Sequence, residues 1–176
     1  MLKNIILIGF MGSGKSSIGR ELSKMLGYPL VDTDALIVER AGKPIRAIFE
    51  EEGEEAFRDL EAGVLAEIDA DNLHRRIIAT GGGIVIRPEN RRRLRNLGYV
   101  VWLVVSPTEI LKRTSRNKER PLLNNDDPEG TVAALLAERE RLYRETANLT
   151  VETDALTMPE ITTGIVESAR YFFGST

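Results

Sequence analysis

The sequence predicts a three-layer α/β/α fold built on a five-stranded parallel sheet. Five short apolar segments alternate along the chain with longer segments of helical periodicity. The apolar run at residues 99–105 is continuous, as in a strand that is buried on both faces. Neither an internal repeat nor a low-complexity linker interrupts the 176 residues, a length that suits a single domain over residues 1–176.

The individual elements follow in order from apolar runs and from helix-terminating residues. Residues 2–8 are predicted to form a buried strand and residues 16–26 a helix with apolar side chains three and four positions apart. The other predicted strands lie at residues 29–31, 76–79, 99–105 and 149–152. The other predicted helices lie at residues 35–41, 44–52, 54–68, 89–97, 108–116, 131–147 and 159–173. Gly53 separates two of these helices, Pro88 opens another and Gly98 ends it.

Composition narrows the classes of function. The net charge of −3 gives no general attraction to nucleic acid or membranes, and no apolar run approaches the ~20 residues of a membrane-spanning helix. The chain holds no cysteine, which excludes disulfides and thiolate metal sites. Its only histidine, His74, lies in a polar run that predicts a solvated loop. Because the first strand begins at the N-terminus and leaves no room for a signal peptide, we expect a cytoplasmic protein.

A phosphate-binding loop between the first strand and the first helix is the most specific motif in the chain. Residues 9–16 read GFMGSGKS and fit the pattern G-x-x-x-x-G-K-[ST]. The glycines let backbone N–H groups turn around phosphate oxygens at a helix N-terminus. Lys15 can reach the β- and γ-phosphates, and the Ser16 hydroxyl can ligate Mg²⁺. A glycine-rich turn without a ligand is the alternative interpretation.

Two carboxylates, Asp32 and Asp34, follow the second strand. Asp32 could hold Mg²⁺ beside Ser16, directly or through water, because the third strand lacks the aspartate that many phosphate-loop proteins place at its end. Asp34 could orient an acceptor hydroxyl and take its proton during phosphoryl transfer. The alternative for Asp34 is that it only caps the helix that follows.

Two further segments carry candidate binding groups, each with a structural alternative. Arg58 and Glu61 are three residues apart on one helix face, where they could hold a substrate carboxylate or form an ordinary surface ion pair. The three glycines at residues 81–83 could let backbone approach a ligand closely or could simply form a tight turn. The phosphate loop, residues 32–34, residues 81–83 and the loop after the helix that follows the fourth strand are all expected at the carboxyl ends of the strands, where ligands bind in a parallel sheet.

The polar segment at residues 113–130 is a candidate lid. Arg120 could reach from it to the charge that develops during phosphoryl transfer, and a solvated loop is the alternative. Arg139 lies in a helical stretch of alternating charges. Such a stretch usually marks a solvated helix face, so the pattern alone favours that interpretation over a site residue.

Taken together, these motifs resemble the bacterial shikimate kinase family, whose members are phosphate-loop kinases of the nucleoside-monophosphate-kinase type. The resemblance runs from residue 2 to about residue 151 and rests on the order and spacing of the motifs. The residues that carry it are 9–17, Ile18, Gly19, Asp32, Thr33, Asp34, Phe57, Arg58, Glu61, Gly81, Gly82, Gly83, 120–123, Arg139 and Tyr143. Many kinases share the phosphate loop, whereas the combination with Asp-Thr-Asp, Phe-Arg-x-x-Glu and the triple glycine is specific.

The resemblance implies ATP-dependent phosphorylation of the 3-hydroxyl of shikimate, which gives shikimate 3-phosphate and ADP on the way to chorismate and the aromatic amino acids. It implies Mg²⁺ as cofactor, ATP and shikimate as the bound molecules, no nucleic-acid or membrane partner, and a monomer. The implied ATP-binding residues are Gly12, Ser13, Gly14, Lys15, Ser16, Ser17, Arg113 and Arg120. The implied shikimate-binding residues are Asp34, Arg58, Gly82 and Arg139, supported by Glu61, Gly81 and Gly83. The implied catalytic residues are Asp34, Lys15 and Arg120, and the implied metal ligands are Ser16 and Asp32; the substrate-binding region spans about residues 33–61.

Two other functions stay open at the level of sequence. A related kinase could act on gluconate or on a nucleoside monophosphate, and Arg58 alone does not discriminate because gluconate is also an acid. The combination of the Phe57-Arg58-x-x-Glu61 motif with the triple glycine favours shikimate. A catalytically silent nucleotide-binding regulator is the other possibility, which the presence of Lys15, Asp34 and Arg120 disfavours.

Overall fold

Strands and helices alternate along the chain in the computed structural model of the protein, which describes residues 3–114 and 126–174. The strands are β1 (Asn4–Ile8), β2 (Leu30–Asp32), β3 (Ile77–Ala79), β4 (Gly98–Val104) and β5 (Leu149–Glu152). The helices are α1 (Lys15–Leu26), α2 (Thr33–Ala41), α3 (Ile45–Ala70), α4 (Pro88–Leu97), α5 (Pro107–Thr114), α6 (Pro128–Thr146) and α7 (Met158–Gly174). The predicted elements are confirmed with small shifts of their ends, except that the predicted end of the helix at 108–116 lies outside the described residues.

All five strands are parallel, and they lie in the order β2-β3-β1-β4-β5. In this register Ile6 of β1 lies opposite Ile78 of β3 on one side and Val100 of β4 on the other. The chain builds one edge of the sheet first and then crosses β1 to build the other edge. Such a reversal opens a crevice at the carboxyl ends of the strands, which is where ligands bind in open α/β sheets.

Both faces of the sheet are covered, which confirms the three-layer prediction. Alternate residues of β1 point to opposite faces, and all five are fully buried. Ile6 and Ile8 belong to a core that includes side chains of α3, α4 and α6. Ile5 and Leu7 belong to a second core that includes side chains of α1 and α7. A strand with apolar neighbours on both sides explains why the sequence shows a continuous apolar run rather than an alternating one.

Gly53 breaks the regular geometry of α3 at the point where the sequence predicts a division. Its φ of 86° and ψ of 174° lie outside the helical region, in a conformation that glycine adopts far more readily than any other residue. The chain bends there and then resumes its helical course. The two predicted helices are therefore the two arms of one kinked helix.

The start of α2 is fixed by Asp32. One carboxylate oxygen of Asp32, Oδ1, accepts hydrogen bonds from the backbone N–H groups of Asp34 at 3.0 Å and Ala35 at 3.2 Å. The second strand accordingly ends one residue later than predicted. The alternative that Asp34 caps this helix is wrong, because Asp34 lies within the first turn and the capping side chain is that of Asp32.

Two features of the fold, the position of His74 and the apolar content of the helices, were also addressed by the sequence analysis. His74 is exposed in the connection between α3 and β3, as the sequence predicts. Across residues 3–114 and 126–174, no helix is both long enough and apolar enough to cross a membrane. The chemistry-bearing residues therefore have to be sought elsewhere, and they gather at the carboxyl ends of the strands.

Candidate active site

A cleft of about 750 Å³ opens at the carboxyl edge of the sheet. It is lined by the segments that follow β1, β2 and β3, together with side chains from α3, α5 and α6 and from the region around β5 and α7. The predicted site residues in its wall are Gly12, Ser13, Gly14, Lys15, Ser16, Ser17, Asp32, Asp34, Arg58, Glu61, Gly81, Gly82, Gly83, Arg113 and Arg139. The fold therefore brings into one cavity six groups of residues that are widely separated in the sequence.

The phosphate loop has the backbone that its glycines predict. Gly12 and Gly14 adopt positive φ angles of 78° and 89°, and Gly14 is the N-cap of α1. Gly9 lies so close to β4 that a Cβ there would be 2.6 Å from the carbonyl oxygen of Leu103. The first turn of α1 contains no acidic residue, so the N–H groups and the positive end of the helix dipole face the cleft without a competing carboxylate on that turn.

Lys15 folds over this loop. Its ammonium group donates hydrogen bonds to the carbonyl oxygens of Gly9 at 2.7 Å and Phe10 at 2.8 Å, and to the Ser13 hydroxyl at 3.2 Å. The side chain is buried, so its charge lies within the loop rather than in solvent. An ammonium group at this position is placed to interact with anionic oxygens that the loop would bind.

Ser16 and Asp32 place two oxygen ligands side by side at the mouth of the loop. The Ser16 hydroxyl donates to Oδ2 of Asp32 at 3.4 Å, while Oδ1 of Asp32 is engaged in capping α2. Among the described residues, no group of three histidine, aspartate or glutamate side chains is arranged to hold a metal. Mg²⁺ suits such a sparse site, since it commonly takes one or two protein oxygens and completes its shell with substrate phosphates and water.

Arg58 is a buried residue, and the alternative of a surface ion pair is wrong. Only 4% of Arg58 and 1% of Glu61 are exposed. One terminal nitrogen of Arg58 donates to Glu61 at 2.8 Å and the other donates to Glu54 at 3.0 Å. The guanidinium lies against Gly83, where a Cβ would come within 2.1 Å of it. The third glycine of the run is therefore required by the position of this arginine.

Glu61 is one of four buried or cleft-lining charges and interacts with the other three, Asp34, Arg58 and Arg139. Burial raises the pKa of its carboxyl group, and Asp34 raises it further, whereas the Arg58 and Arg139 guanidinium groups oppose the shift. The Asp34 and Glu61 carboxylates both lie against Gly81, since a Cβ there would be 2.7 Å from Oδ1 of Asp34 and 2.9 Å from Oε1 of Glu61. The first glycine of the run thus makes room for two carboxylates.

Arg139 reaches the cleft from α6. It is 3% exposed, and its guanidinium lies over the ring of Phe10 with 5.8 Å between the central carbon and the ring centroid. Its Nε has no hydrogen-bond partner among the described residues. The neighbouring Arg141 is exposed and pairs with Glu145 at 3.0 Å. The alternating charges of this helix therefore mark a solvated face for Arg141 but not for Arg139.

Gly82 joins the two halves of the cleft. A Cβ on Gly82 would lie 3.2 Å from the backbone nitrogen of Met11, so the glycine run packs directly on the phosphate loop. The carbonyl of Gly82 accepts a hydrogen bond from the Tyr143 hydroxyl, and the Gly81 N–H donates to the Thr33 hydroxyl at 3.2 Å. The arrangement puts the two buried arginines and Asp34 next to the phosphate-binding end.

The sequence analysis missed the parts that Tyr143 and Thr33 play in these contacts. A signal for Tyr143 exists, since it stands four residues after Arg139 and therefore shares its helix face. Thr33 stands between the two aspartates, but nothing in its spacing indicates that its hydroxyl meets Gly81. Both contacts join residues more than 40 positions apart, which local patterns do not encode.

Arg113 and Arg120 were both predicted to contact ATP. Arg113 donates to the carbonyl oxygen of Gly12 at 3.0 Å and to Glu109 at 2.9 Å, which places it against the phosphate loop. Arg120 and residues 115–125 of the predicted lid lie outside the described residues. The role of Arg120 therefore stays a prediction.

Comparison with known proteins matches this architecture to one family. The sequence profile of shikimate kinase matches residues 11–170. The chain belongs to the shikimate kinase family. A shikimate kinase of Dechloromonas aromatica is 47% identical over 165 residues, which cover 94% of this chain and 87% of that protein. One of Legionella pneumophila is 44% identical over 174 residues, which cover 98% and 96% of the two chains.

Solved structures show the same relationship in three dimensions. A shikimate kinase from Acinetobacter baumannii in complex with shikimate is 38% identical, with a TM-score of 0.91 over 100% of this chain and 96% of that chain. A shikimate kinase from Aquifex aeolicus is 34% identical, with a TM-score of 0.79 over 94% and 95%. A gluconokinase from Sinorhizobium meliloti shares the fold at 19% identity and a TM-score of 0.56 over 98% and 97%. This chain is thus more similar to these two shikimate kinases than to the gluconokinase, in sequence as well as in structure.

Proposed function

We propose that this protein transfers the terminal phosphoryl group of ATP to the 3-hydroxyl of shikimate, giving shikimate 3-phosphate and ADP. This reaction is a step towards chorismate and the aromatic amino acids. Family membership across residues 11–170 supports the proposal. So does the placement of a phosphate loop and a charged pocket side by side in one cleft.

The observation that carries the proposal is the pair of buried arginines, Arg58 and Arg139, in the wall of that cleft. A guanidinium is planar and binds a carboxylate through two parallel hydrogen bonds. Glu61 holds Arg58 by a 2.8 Å contact, so the fork is oriented before any substrate arrives. A small polyhydroxylated acid offers little apolar surface, and fixed polar partners of this kind provide both its affinity and its selectivity.

Asp34 is the proposed base. It lines the cleft, and its carboxylate lies against Gly81 of the glycine run beside that of Glu61. In that position its carboxylate would accept the hydroxyl proton as the oxygen attacks phosphorus. The protein contributes mainly by placing the two substrates in line and by neutralising charge, a task for Lys15, the N-terminus of α1 and the proposed lid residue Arg120.

Ser16 and Asp32 are the proposed Mg²⁺ ligands, because they put two oxygens together at the phosphate-binding end. When bound, the ion would neutralise charge on the phosphates. Gly12, Ser13, Gly14 and Ser17 would bind phosphate oxygens of ATP, and Arg113 would lie near its adenine, as the family resemblance implies. We also propose that the enzyme is cytoplasmic and that it acts as a monomer. Light scattering on the purified protein would test the monomeric state against the 19.6 kDa mass of one chain.

The position of the transferred phosphate tests the proposed reaction. The product of an incubation with ATP, Mg²⁺ and shikimate is analysed by phosphorus–proton correlation in nuclear magnetic resonance. We expect a single phosphate ester on the 3-oxygen. An ester on another hydroxyl would contradict the proposed placement of Asp34, and no ester at all would contradict the proposed reaction.

A further inference from the structure

Among the described residues, Tyr143 is the largest side chain that is completely buried, and the proposed reaction assigns it no role. Its ring stacks on Trp102 with 5.7 Å between centroids and 22° between planes. A phenol that only filled this space would need no hydroxyl. Phenylalanine would occupy it without the cost of burying a polar group.

The hydroxyl is instead engaged on two sides. It donates a hydrogen bond to the carbonyl oxygen of Gly82, which belongs to the glycine run in the wall of the cleft. Arg139 lies one helical turn away on the same face of α6, and its guanidinium interacts electrostatically with this hydroxyl. Burial raises the pKa of Tyr143 to about 12, with Arg139 opposing the shift, so the group stays protonated and keeps its proton for Gly82 at neutral pH.

Among the described residues, fewer hydrogen bonds hold Arg139 than hold Arg58. Its guanidinium packs over Phe10, a contact that sets its distance from the ring but not its rotation about the ring normal. Its Nε finds no hydrogen-bond partner within residues 3–114 and 126–174. Arg58 differs, because Glu61 and Glu54 hold both of its terminal nitrogens. Arg139 therefore relies more than Arg58 does on charge interactions, with Tyr143 and with Glu61, for its orientation.

We propose that Tyr143 is a positioning residue of the acceptor site: its hydroxyl, held by the Gly82 carbonyl one helical turn from Arg139, directs that guanidinium at the substrate carboxylate. The inference rests on the proposed function, since it assigns to Arg139 a carboxylate ligand. It predicts that the hydroxyl contributes to affinity for shikimate and not to affinity for ATP.

The test is Tyr143→Phe, compared with Tyr99→Phe as the matched control. Tyr99 is also buried, and its hydroxyl bonds with Ser168 at 2.7 Å in the core on the opposite face of the sheet. Calorimetry measures the affinities for shikimate and for a non-hydrolysable ATP analogue, and steady-state assays separate KM from kcat. For Tyr143→Phe we expect the shikimate Kd and KM to rise on the order of tenfold, with ATP-analogue affinity within about twofold of the wild type.

A double-mutant cycle with Arg139→Ala identifies the route of the effect. If Tyr143 acts through Arg139, removing its hydroxyl in the Arg139→Ala background adds less than about twofold to the loss of shikimate affinity. Trp102, the only tryptophan in the chain, reports on the stacking, so unchanged emission means that the Phe ring has kept its place. If the emission changes, 4-aminophenylalanine at position 143 replaces Phe, because it keeps a donor for Gly82 but offers Arg139 only a weak acceptor; the same loss of affinity is expected.

Three results would overturn the inference. One is a Tyr143→Phe or 4-aminophenylalanine variant that binds shikimate as tightly as Tyr99→Phe. Another is full additivity with Arg139→Ala. The third is an equal loss of affinity for shikimate and the ATP analogue, which would indicate a general structural role. Wild-type protein that does not phosphorylate shikimate would overturn the proposed function, and this inference with it.

Discussion

At the scale of single residues, the pocket beside the phosphate loop balances two positive charges against two negative ones. The positive charges are those of Arg58 and Arg139, and the negative charges are those of Asp34 and Glu61. Glu61 interacts with the other three residues. Burying an unpaired charge costs several kcal/mol, whereas a balanced, hydrogen-bonded set is tolerated. A substrate carboxylate would offer acceptors to arginine N–H groups such as the Nε atoms, which have no partner among the described residues, and a substrate hydroxyl would donate to Asp34.

The base assignment predicts the effect of Asp34→Asn. The amide keeps the shape of the side chain but cannot take the hydroxyl proton, so kcat should fall by about 10²–10⁴-fold. Affinity for an ATP analogue, measured by calorimetry, should change little, because Asp34 does not belong to the phosphate loop. Undiminished turnover in this variant would contradict the assignment.

Arg58→Lys tests the carboxylate fork. A lysine keeps the charge but replaces the planar fork with a point charge, and it cannot reach Glu61 and Glu54 with the same geometry. We expect the KM for shikimate to rise by about tenfold or more, while the KM for ATP stays close to that of the wild type. Equal KM values for shikimate in the two proteins would refute this role.

Glu61 predicts a pH dependence whose sign follows from its raised pKa. Because the pKa of Glu61 is raised above its ordinary value of 4.5, the folded protein keeps the Glu61 proton at a pH where the unfolded chain has lost it. Protonation of Glu61 therefore favours the folded state. The same protonation removes the negative charge that orients Arg58. As pH falls, kcat/KM for shikimate should therefore drop at a higher pH than an ordinary glutamate would give. Glu61→Gln should lack that step in its pH profile, and a step that persists would assign it to another group.

The Arg58–Glu61 ion pair shows that the spacing of two charged residues does not determine whether they are buried. Arg58 and Glu61 have the i,i+3 spacing of countless exposed pairs, and only the packing of α3 on the sheet reveals that both are buried. Local pattern leaves the surface interpretation open for this pair and favours it for Arg139. The family resemblance pointed to the site, because it carries information about distant parts of the chain that spacing lacks.

At the scale of elements, the glycine run after β3 is shaped by the side chains around it. Gly83→Ala would put a Cβ 2.1 Å from the Arg58 guanidinium, whose terminal nitrogens are already held. We expect a loss of about 1–3 kcal/mol in the free energy of unfolding and a rise of about tenfold in the shikimate KM. Chemical denaturation and steady-state kinetics measure the two effects.

Gly63→Ala is the matched control for that variant. Gly63 lies within α3, and a Cβ there meets nothing within 4 Å. Alanine should stabilise the helix by about 0.5–1 kcal/mol and leave the kinetics unchanged. If Gly83→Ala behaved like this control, the close approach of Arg58 to the glycine run would not matter for binding.

The elements themselves were largely predictable because their signals are local. Apolar runs locate the strands, and Gly53 and Pro88 locate a kink and a helix start. The end of β2 was missed by one residue because Asp32 and Asp34 are both good capping residues, and only the backbone geometry decides between them. The contact of Thr33 with Gly81 depends on β2 and β3 being neighbours, which no local signal specifies.

At the scale of the whole molecule, the strand order determines where the cleft lies. Alternation of strands and helices predicts a parallel sheet, but the order β2-β3-β1-β4-β5 depends on which strands pair, and pairing is a property of the folded core. That order places the segments after β1, β2 and β3 side by side. The phosphate loop, the aspartates and the glycine run consequently meet in one cavity of about 750 Å³.

The most direct test of the central claim is a coupled assay of ADP release with Mg²⁺ and ATP, run with shikimate, gluconate and several nucleoside monophosphates as acceptors. A pocket built from two buried arginines beside Asp34 should give strong release with shikimate and little with the others. The Asp34→Asn protein, run in parallel, should release ADP at close to the background rate. Release with gluconate or a nucleotide that matches or exceeds release with shikimate, or no release with any acceptor despite tight ATP binding, would contradict the account.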